Sequence, residues 1–215
     1  MITLEDILRA NLATKRDLCF YTGTWAGKPA ANAIPLYGKI RITDYGVGGF
    51  SEWRTNGTRY VRGPLVIYNN GLINVSSVAV AETGLLTVGV KGGSIGPNGS
   101  VIWEFYTTFT NNAANRAMRL RIGAGAFTTS HTQMWQQNVN TQTQANGRMG
   151  FQNKNSEAAQ IASVTQFGFG LGSTTSTPYE GTIDTTADFN VTLSLVSDGT
   201  QSLNLSSSRI TLYPG

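Results

Sequence analysis

The chain has 215 residues, a net charge of +4 and 13% charged side chains, which is about half of the ~25% usual in soluble domains. Its 25 glycines and 40% hydrophobic residues exclude a disordered chain and are typical of an all-β protein with many tight turns. Cys19 is the single cysteine, which excludes an intrachain disulfide.

The excess positive charge lies in residues 1–62, with nine basic and five acidic side chains, whereas residues 63–215 carry seven of each. Because nucleic-acid-binding proteins concentrate their basic side chains more densely, we expect no nucleic-acid partner. Residues 1–18 carry charges throughout and lack the apolar centre of a signal peptide, and no apolar run approaches about 20 residues. We therefore expect synthesis in a cytoplasm and no membrane span.

Residues 1–20 are predicted to form an N-terminal helix and anchor. Thr3 can cap a helix, acidic side chains follow it, and the pair at 15–16 is basic, which matches the helix dipole. The apolar side chains recur with helical spacing on one stripe: Leu4, Ile7, Leu8 and Leu12. Two interpretations remain open, because the stripe can pack on its own domain or dock on another subunit.

Residues 21–63 are predicted to form a small β-module that begins with an irregular lead-in. Residues 39–43 alternate polar and apolar, as a half-buried strand does, and a glycine-rich turn follows at 44–49. Residues 50–54 form a second predicted strand. The Asn-Gly pair at 56–57 is a strong hairpin signal, and residues 59–61 return as a third strand.

The order of residues in this module is distinctive: Trp25, Pro29, Pro35, Ile40-Arg41-Ile42-Thr43-Asp44, Gly46-Val47-Gly48-Gly49, Trp53 and Asn56-Gly57-Thr58-Arg59-Tyr60. It resembles a module common in tail-fibre and tail-spike proteins of tailed bacteriophages, over about residues 23–62. The resemblance implies a structural virion protein, a homotrimeric tail fibre or receptor-binding protein that attaches the particle to its host. It covers under a quarter of the chain.

Residues 64–215 show short alternating segments separated by turn signals, which predicts a β-sandwich of the jelly-roll type. The clearest strand covers 101–109, with apolar side chains on one face and Glu104, Tyr106 and Thr108 on the other. Residues 127–139 can form a strand or a loop, residues 141–146 are predicted to be a long surface loop, and the binding-site hypothesis takes 128–146 as one long polar loop. A turn at 198–199 is expected to fold residues 203–205 back as a hairpin.

The residues needed for catalysis are sparse. His131 is the sole histidine, so a zinc site or a histidine-based triad would lack partners, and we expect no metal and no cofactor. The glycines at 168–172 lack the strand–loop–helix context of a phosphate loop and indicate a twisted strand. The acids of the predicted sandwich are dispersed: Glu82, Glu104, Glu157, Glu180, Asp184, Asp188 and Asp198. We therefore expect no enzymatic activity and no catalytic residue.

Sugars are recognised by aromatic faces and short polar groups on rigid loops, and the predicted loops supply both. The candidate ligand-binding residues are His131, Trp135, Gln136, Gln137 and Tyr179. Trp135 has an alternative role as a core residue. The sequence therefore predicts host-glycan binding by the sandwich and docking on other virion proteins by residues 1–20. A head fibre or capsid-decoration protein, a polysaccharide depolymerase and a cytosolic lectin-like module remain alternatives.

Overall fold

The computed structural model describes residues 19–36, 38–46, 51–56, 58–71, 73–78, 81–110, 115–140, 142–164, 179–199 and 201–215. These residues form an all-β protein with fifteen strands and a 3-10 turn at Ala31–Ala33. Their contacts divide into a first unit, residues 1–65, and a second unit, residues 66–215. The three-part division of the chain at residues 20 and 63 stays a prediction.

The predicted N-terminal helix and its apolar stripe, Leu4, Ile7, Leu8 and Leu12, lie outside the described residues. The first described residues, Cys19–Gly23, form a strand, so the last two residues of the predicted anchor are not helical. No helix among the described residues is long and apolar enough to cross a membrane.

The first unit contains a four-stranded sheet in the order β1-β2-β3-β4. Its strands are β1 (Cys19–Gly23), β2 (Lys39–Ile42), β3 (Ser51–Thr55) and β4 (Tyr60–Val61). The last three strands match the predicted ones. Strand β1 was not predicted, because it pairs in parallel with β2 across a long connection and therefore carries no hairpin signal.

The remaining strands follow in chain order: β5 (Leu65–Asn70), β6 (Ile73–Val78), β7 (Ala81–Val90), β8 (Ser100–Phe109), β9 (Arg116–Gly123), β10 (Thr132–Asn138), β11 (Gln144–Asn153), β12 (Gln160–Val164), β13 (Glu180–Gly181), β14 (Phe189–Ser197) and β15 (Gln201–Tyr213). They form a four-stranded sheet, β10-β9-β14-β7, and a seven-stranded sheet, β13-β12-β11-β8-β15-β5, in which β6 also pairs with β15.

The inner faces of these two sheets contact each other through aromatic side chains. Phe105 in β8 meets Trp135 in β10 with ring centroids 6.4 Å apart. Phe151 in β11 meets Phe189 in β14 at 6.1 Å. Strand β8 alternates as predicted, since Trp103 is fully buried and Tyr106 is exposed. The jelly-roll strand arrangement stays a prediction.

The single polar loop over residues 128–146 is wrong, and of the two alternatives for residues 127–139 the structure shows the strand. Residues 128–146 contain all of β10 and the first residues of β11. A register shift between Gln133 and Trp135 interrupts the period of two in β10, so Met134 and Trp135 are adjacent in sequence and both buried. The bulge breaks the alternation of polar and apolar residues that marks a strand. The glutamine-rich composition of this segment therefore predicted a loop.

The predicted hairpin after residues 198–199 is also wrong. Strand β14 belongs to the four-stranded sheet, whereas β15 pairs with β8 and β6 in the seven-stranded sheet. The turn therefore crosses from one sheet to the other. Alternation in the flanking segments is compatible with both outcomes, since it identifies strands and their buried faces but not their partners.

Candidate functional site

The structure removes Trp135 from the predicted ligand-binding surface. Its side chain lies in β10, is 4% exposed and packs against Phe105 in the core. A ring in this position cannot offer its face to a sugar. Gln136 and Gln137 follow in the same strand, whereas Tyr179 is 40% exposed and immediately precedes β13 in the other sheet.

His131 and Gln136 belong to one hydrogen-bonded network on the four-stranded sheet. The backbone carbonyl of His131 accepts from Arg121 Nη1 at 2.6 Å. Gln136 Oε1 accepts from Arg119 Nε at 2.8 Å. The amide of Gln136 in turn donates to Asn138 Oδ1 at 3.2 Å. The side-chain amide of Gln136 is therefore engaged by Arg119 and Asn138, and the His131 ring lies with Nε2 3.1 Å from the carbonyl oxygen of Ala124.

Glu82 is the centre of this network. Its side chain is 6% exposed and lies 2.7 Å from Arg119 Nη1 and 2.5 Å from Arg121 Nε. Ser194 Oγ donates to Glu82 Oε1 at 2.7 Å. Burial by itself would raise the pKa of Glu82, but the hydrogen bonds from Arg121, Ser194 and Arg119 outweigh it and hold this pKa below its ordinary value of 4.5.

The contacts of Glu82 are those of a structural ion pair and do not favour proton transfer. An ionised carboxylate that accepts from two guanidinium groups and a hydroxyl is held in its charged form, so it is a poor general acid or base near neutral pH. The network joins β7, β9 and β14 on one face of the sheet. Sequence reasoning missed it, because Glu82 and Ser194 are 112 positions apart.

Three other acids of the second unit also have structural partners. Asp184 Oδ1 accepts from the backbone and hydroxyl of Thr186. Asp188 Oδ1 accepts from the amide of Gly92, and Asp198 accepts from Asn115. No group of three or more His, Cys, Asp or Glu side chains that could hold a metal ion occurs among the residues that the structure describes.

A groove of about 270 Å³ lies on the seven-stranded sheet. Its outward-facing side chains come from three strands: Glu104, Tyr106, Asn146, Arg148 and Ser207. Tyr106 is 37% exposed, and its hydroxyl donates to Gln144 Oε1 at 2.8 Å, which holds the ring in place. We call these five residues the Tyr106 groove. The sequence placed Glu104 and Tyr106 on an outer face but could not pair β8 with β11 and β15.

A second, smaller groove of about 170 Å³ lies near the start of β14. It is lined by residues that include Lys91, Gly125, Asp188 and Asn190. Lys91 Nζ lies 3.3 Å from Asp188 Oδ2, and Asn190 Nδ2 donates to the carbonyl of Gly125 at 2.5 Å. These contacts tie its charged and amide side chains to the fold. The Tyr106 groove is therefore the better candidate binding site.

The residues that carry the phage-module resemblance form the core of the first unit. Trp25 and Trp53 pack with ring centroids 4.7 Å apart, and Tyr45 is stacked parallel to Trp53 at 6.4 Å. Asp44 Oδ1 accepts from the backbone amide of Trp25 at 2.7 Å. Asn56 Oδ1 caps the following turn by accepting from the amides of Thr58 and Arg59. These motif residues have structural roles.

No protein-family model matches the chain, and no curated protein sequence matches it. Among solved structures, it is similar to a chain in the structure of infectious bursal disease virus, Gx strain, with a TM-score of 0.34 and 12% sequence identity. The match covers 73% of this chain and 33% of that chain, so this protein spans about a third of the viral chain's length. A TM-score this low does not establish a common fold.

Proposed function

We propose that the chain is a structural virion protein, a tail fibre or receptor-binding protein whose second unit is a jelly-roll-like sandwich that binds a host-surface glycan without cleaving it. The observation that supports the virion assignment is that the residues of the resemblance motif pack together in this chain. Trp25, Asp44 and Trp53, which carry the resemblance to phage tail proteins, are joined by direct contacts in the first unit. The residues on which the resemblance rests therefore act together as one core of the first unit.

The glycan-binding part of the proposal is supported by the Tyr106 groove. An exposed aromatic ring lies beside an amide, a hydroxyl and charged groups on three paired strands, which is the chemistry that recognises sugar faces and hydroxyls. Strand residues hold such groups more rigidly than loop residues do. This surface takes the place of the site predicted around Trp135.

The receptor role is tested with the labelled full chain and intact host cells. We expect the purified protein to adsorb to cells that the virus infects and to compete with particles for attachment. Failure to adsorb, with infection still occurring, would contradict the receptor role. Electron microscopy of particles labelled with antibody against this chain locates it, since labelling of the capsid would instead support a head fibre or decoration protein.

The absence of cleavage is tested on purified host polysaccharide. We expect no new reducing ends and no loss of polymer size after prolonged incubation with the protein. Release of oligosaccharides would support the depolymerase alternative instead.

Docking through residues 1–20 is tested separately, because a chain without residues 1–18 should still fold but no longer be incorporated into particles. Normal incorporation of that shortened chain would overturn the docking role of Leu4, Ile7, Leu8 and Leu12.

A further inference from the structure

The strand register arranges the Tyr106 groove as two rows of side chains. In one row, Tyr106 in β8 lies opposite Asn146 in β11 and Ser207 in β15. Two residues further along the strands, about 7 Å away, Glu104 lies opposite Arg148 and Arg209. The first row is aromatic and neutral, and the second row is charged.

The charged row has an excess of positive charge, with two guanidinium groups and one carboxylate. Arg148 Nε lies 3.7 Å from Glu104 Oε1, which is longer than the about 2.7–3.2 Å of an N–H···O hydrogen bond. This nitrogen is buried and has no hydrogen-bond partner. The Arg148 side chain as a whole is 33% exposed, and its charge lacks a hydrogen bond to Glu104, so a ligand carboxylate would pair with the accessible part of this guanidinium group.

We propose that the Tyr106 groove binds a carboxylate-bearing sugar, an assignment that rests on the glycan-binding role proposed above. The sugar ring packs on the exposed face of Tyr106, and its carboxylate lies in the charged row against Arg148 and Arg209. Asn146, Ser207 and Glu104 contact the hydroxyls. The volume of about 270 Å³ lies just below the about 300–1,000 Å³ of ordinary ligand pockets, which fits a single ring.

Binding is measured on the full chain by NMR titration with methyl glucuronide, methyl galacturonide and the methyl glycoside of N-acetylneuraminic acid. The neutral probes are methyl glucoside and methyl galactoside. We expect at least one acidic sugar to bind, about tenfold more tightly than the neutral sugars and more weakly as salt rises, because a charge-assisted pair forms. Failure of all three acidic sugars to bind, or equal binding of acidic and neutral sugars, would overturn the proposal.

Substitutions distinguish the contribution of the Tyr106 ring to binding from that of the Arg148 charge. Tyr106→Ala should weaken binding of every sugar about tenfold, whereas Tyr106→Phe keeps the ring and should retain binding. Arg148→Gln should reduce the preference for acidic over neutral sugars. Tyr213→Ala and Arg59→Gln are the controls, since Tyr213 is also 37% exposed but lies at the far end of β15, and Arg59 lies in the first unit.

The sugar proposal and the receptor role fail in different ways. Adsorption of the full chain to host cells, with no acidic sugar bound, would overturn the acidic-sugar site and leave the receptor role standing. Binding of an acidic sugar that Tyr106→Ala weakens about tenfold, without adsorption to any host cell, would support the site and overturn the receptor role. Unchanged affinity in both Tyr106→Ala and Arg148→Gln would place the sugar elsewhere.

Discussion

Trp135 shows how burial decides the role of a residue. Three glutamines, at positions 133, 136 and 137, lie within two residues of it, and this polar setting favoured an exposed ring in a binding loop. In the structure the ring fills the space between the two sheets and meets Phe105 at a steep angle of 76°. The neighbouring Gln136 points to the opposite face and binds Arg119. Trp135 therefore packs in the core, whereas the adjacent Gln136 lies on the outer face of the same sheet.

Trp135→Ala should lower the free energy of unfolding by about 3–5 kcal/mol, because it removes a buried ring and leaves a cavity. Urea denaturation measures this change. Tyr106→Ala is the matched control and should change stability little, since Tyr106 is 37% exposed. An unfolding midpoint that is the same in Trp135→Ala and the unsubstituted protein would contradict the core assignment.

Glu82→Gln should destabilise the protein by about 3 kcal/mol, because it leaves two guanidinium groups without their carboxylate partner. Chemical denaturation at pH 7 measures the loss. Glu180→Gln provides a control, since Glu180 also pairs with a cation, Lys154, but its side chain is 59% exposed and surface pairs contribute little. Equal effects of the two substitutions would show that the network does not depend on burial.

The same carboxylate should make stability depend on pH. Since the pKa of Glu82 is lower in the folded protein than its ordinary 4.5, its contribution is present above about pH 4.5 and is lost as the pH falls through the folded value. Thermal unfolding between pH 3 and 7 should therefore show a steeper acid loss in the unsubstituted protein than in Glu82→Gln. Parallel pH profiles would contradict this assignment.

At the scale of elements, β15 organises the seven-stranded sheet. It pairs with β8 over most of its length and with β6 near its start, with register shifts along both pairings. Beyond its end, the amide of Gly215 donates to the carbonyl of Ile95 at 3.0 Å. The loop before β8 is therefore fastened to the end of the chain. Gly99 lies in this contact, where a Cβ would come within 2.8 Å of the carbonyl oxygen of Tyr213.

Gly99→Ala should destabilise the protein by about 1–3 kcal/mol, because backbone on both sides leaves no room for a methyl group. The thermal midpoint measures the effect. Gly71→Ala is the matched control, since a Cβ at that position meets nothing within 4 Å. A Gly99→Ala protein as stable as the Gly71→Ala control would show that the loop and the end of β15 are not packed as described.

At the scale of the whole molecule, an edge strand of a sheet can pair with another copy of the chain and so affects oligomer formation. Strand β7 lies at one end of the described four-stranded sheet. Its one charged side chain, Glu82, is engaged in the buried network. Leu86 and Val88 lie opposite the buried residues Leu193 and Val191 but are themselves only partly covered. A long edge with few charges favours association with another chain.

We expect the protein to form a trimer, as the resemblance to phage tail proteins implies. Light scattering at micromolar concentration should give the mass of three chains. Val88→Lys places a charge on the edge strand and should reduce that mass, whereas Thr129→Lys places the same charge on an exposed turn and should not. A monomer mass for the unsubstituted protein would contradict the trimer in solution.

The local features of the first unit could be predicted because neighbouring residues encode them. Alternation identified the strand at residues 39–42, and the Asn-Gly pair identified the turn before Tyr60. The aromatic residues of this core were recognised in the sequence by their order in the resemblance motif. Strand β1 could not be recognised in the same way, since its partner β2 begins 20 residues later and the pairing is parallel.

Composition and periodicity alone thus determined that this protein is built from strands, and which face of β8 is buried, because both properties follow from near neighbours in the chain. Only the tertiary structure decided which strands pair. That pairing buried Trp135, joined Glu82 to Ser194 and placed Arg148 and Arg209 on either side of Glu104. The physical reason is that a binding surface on a sheet depends on register between distant strands, and register is set by packing of the whole domain.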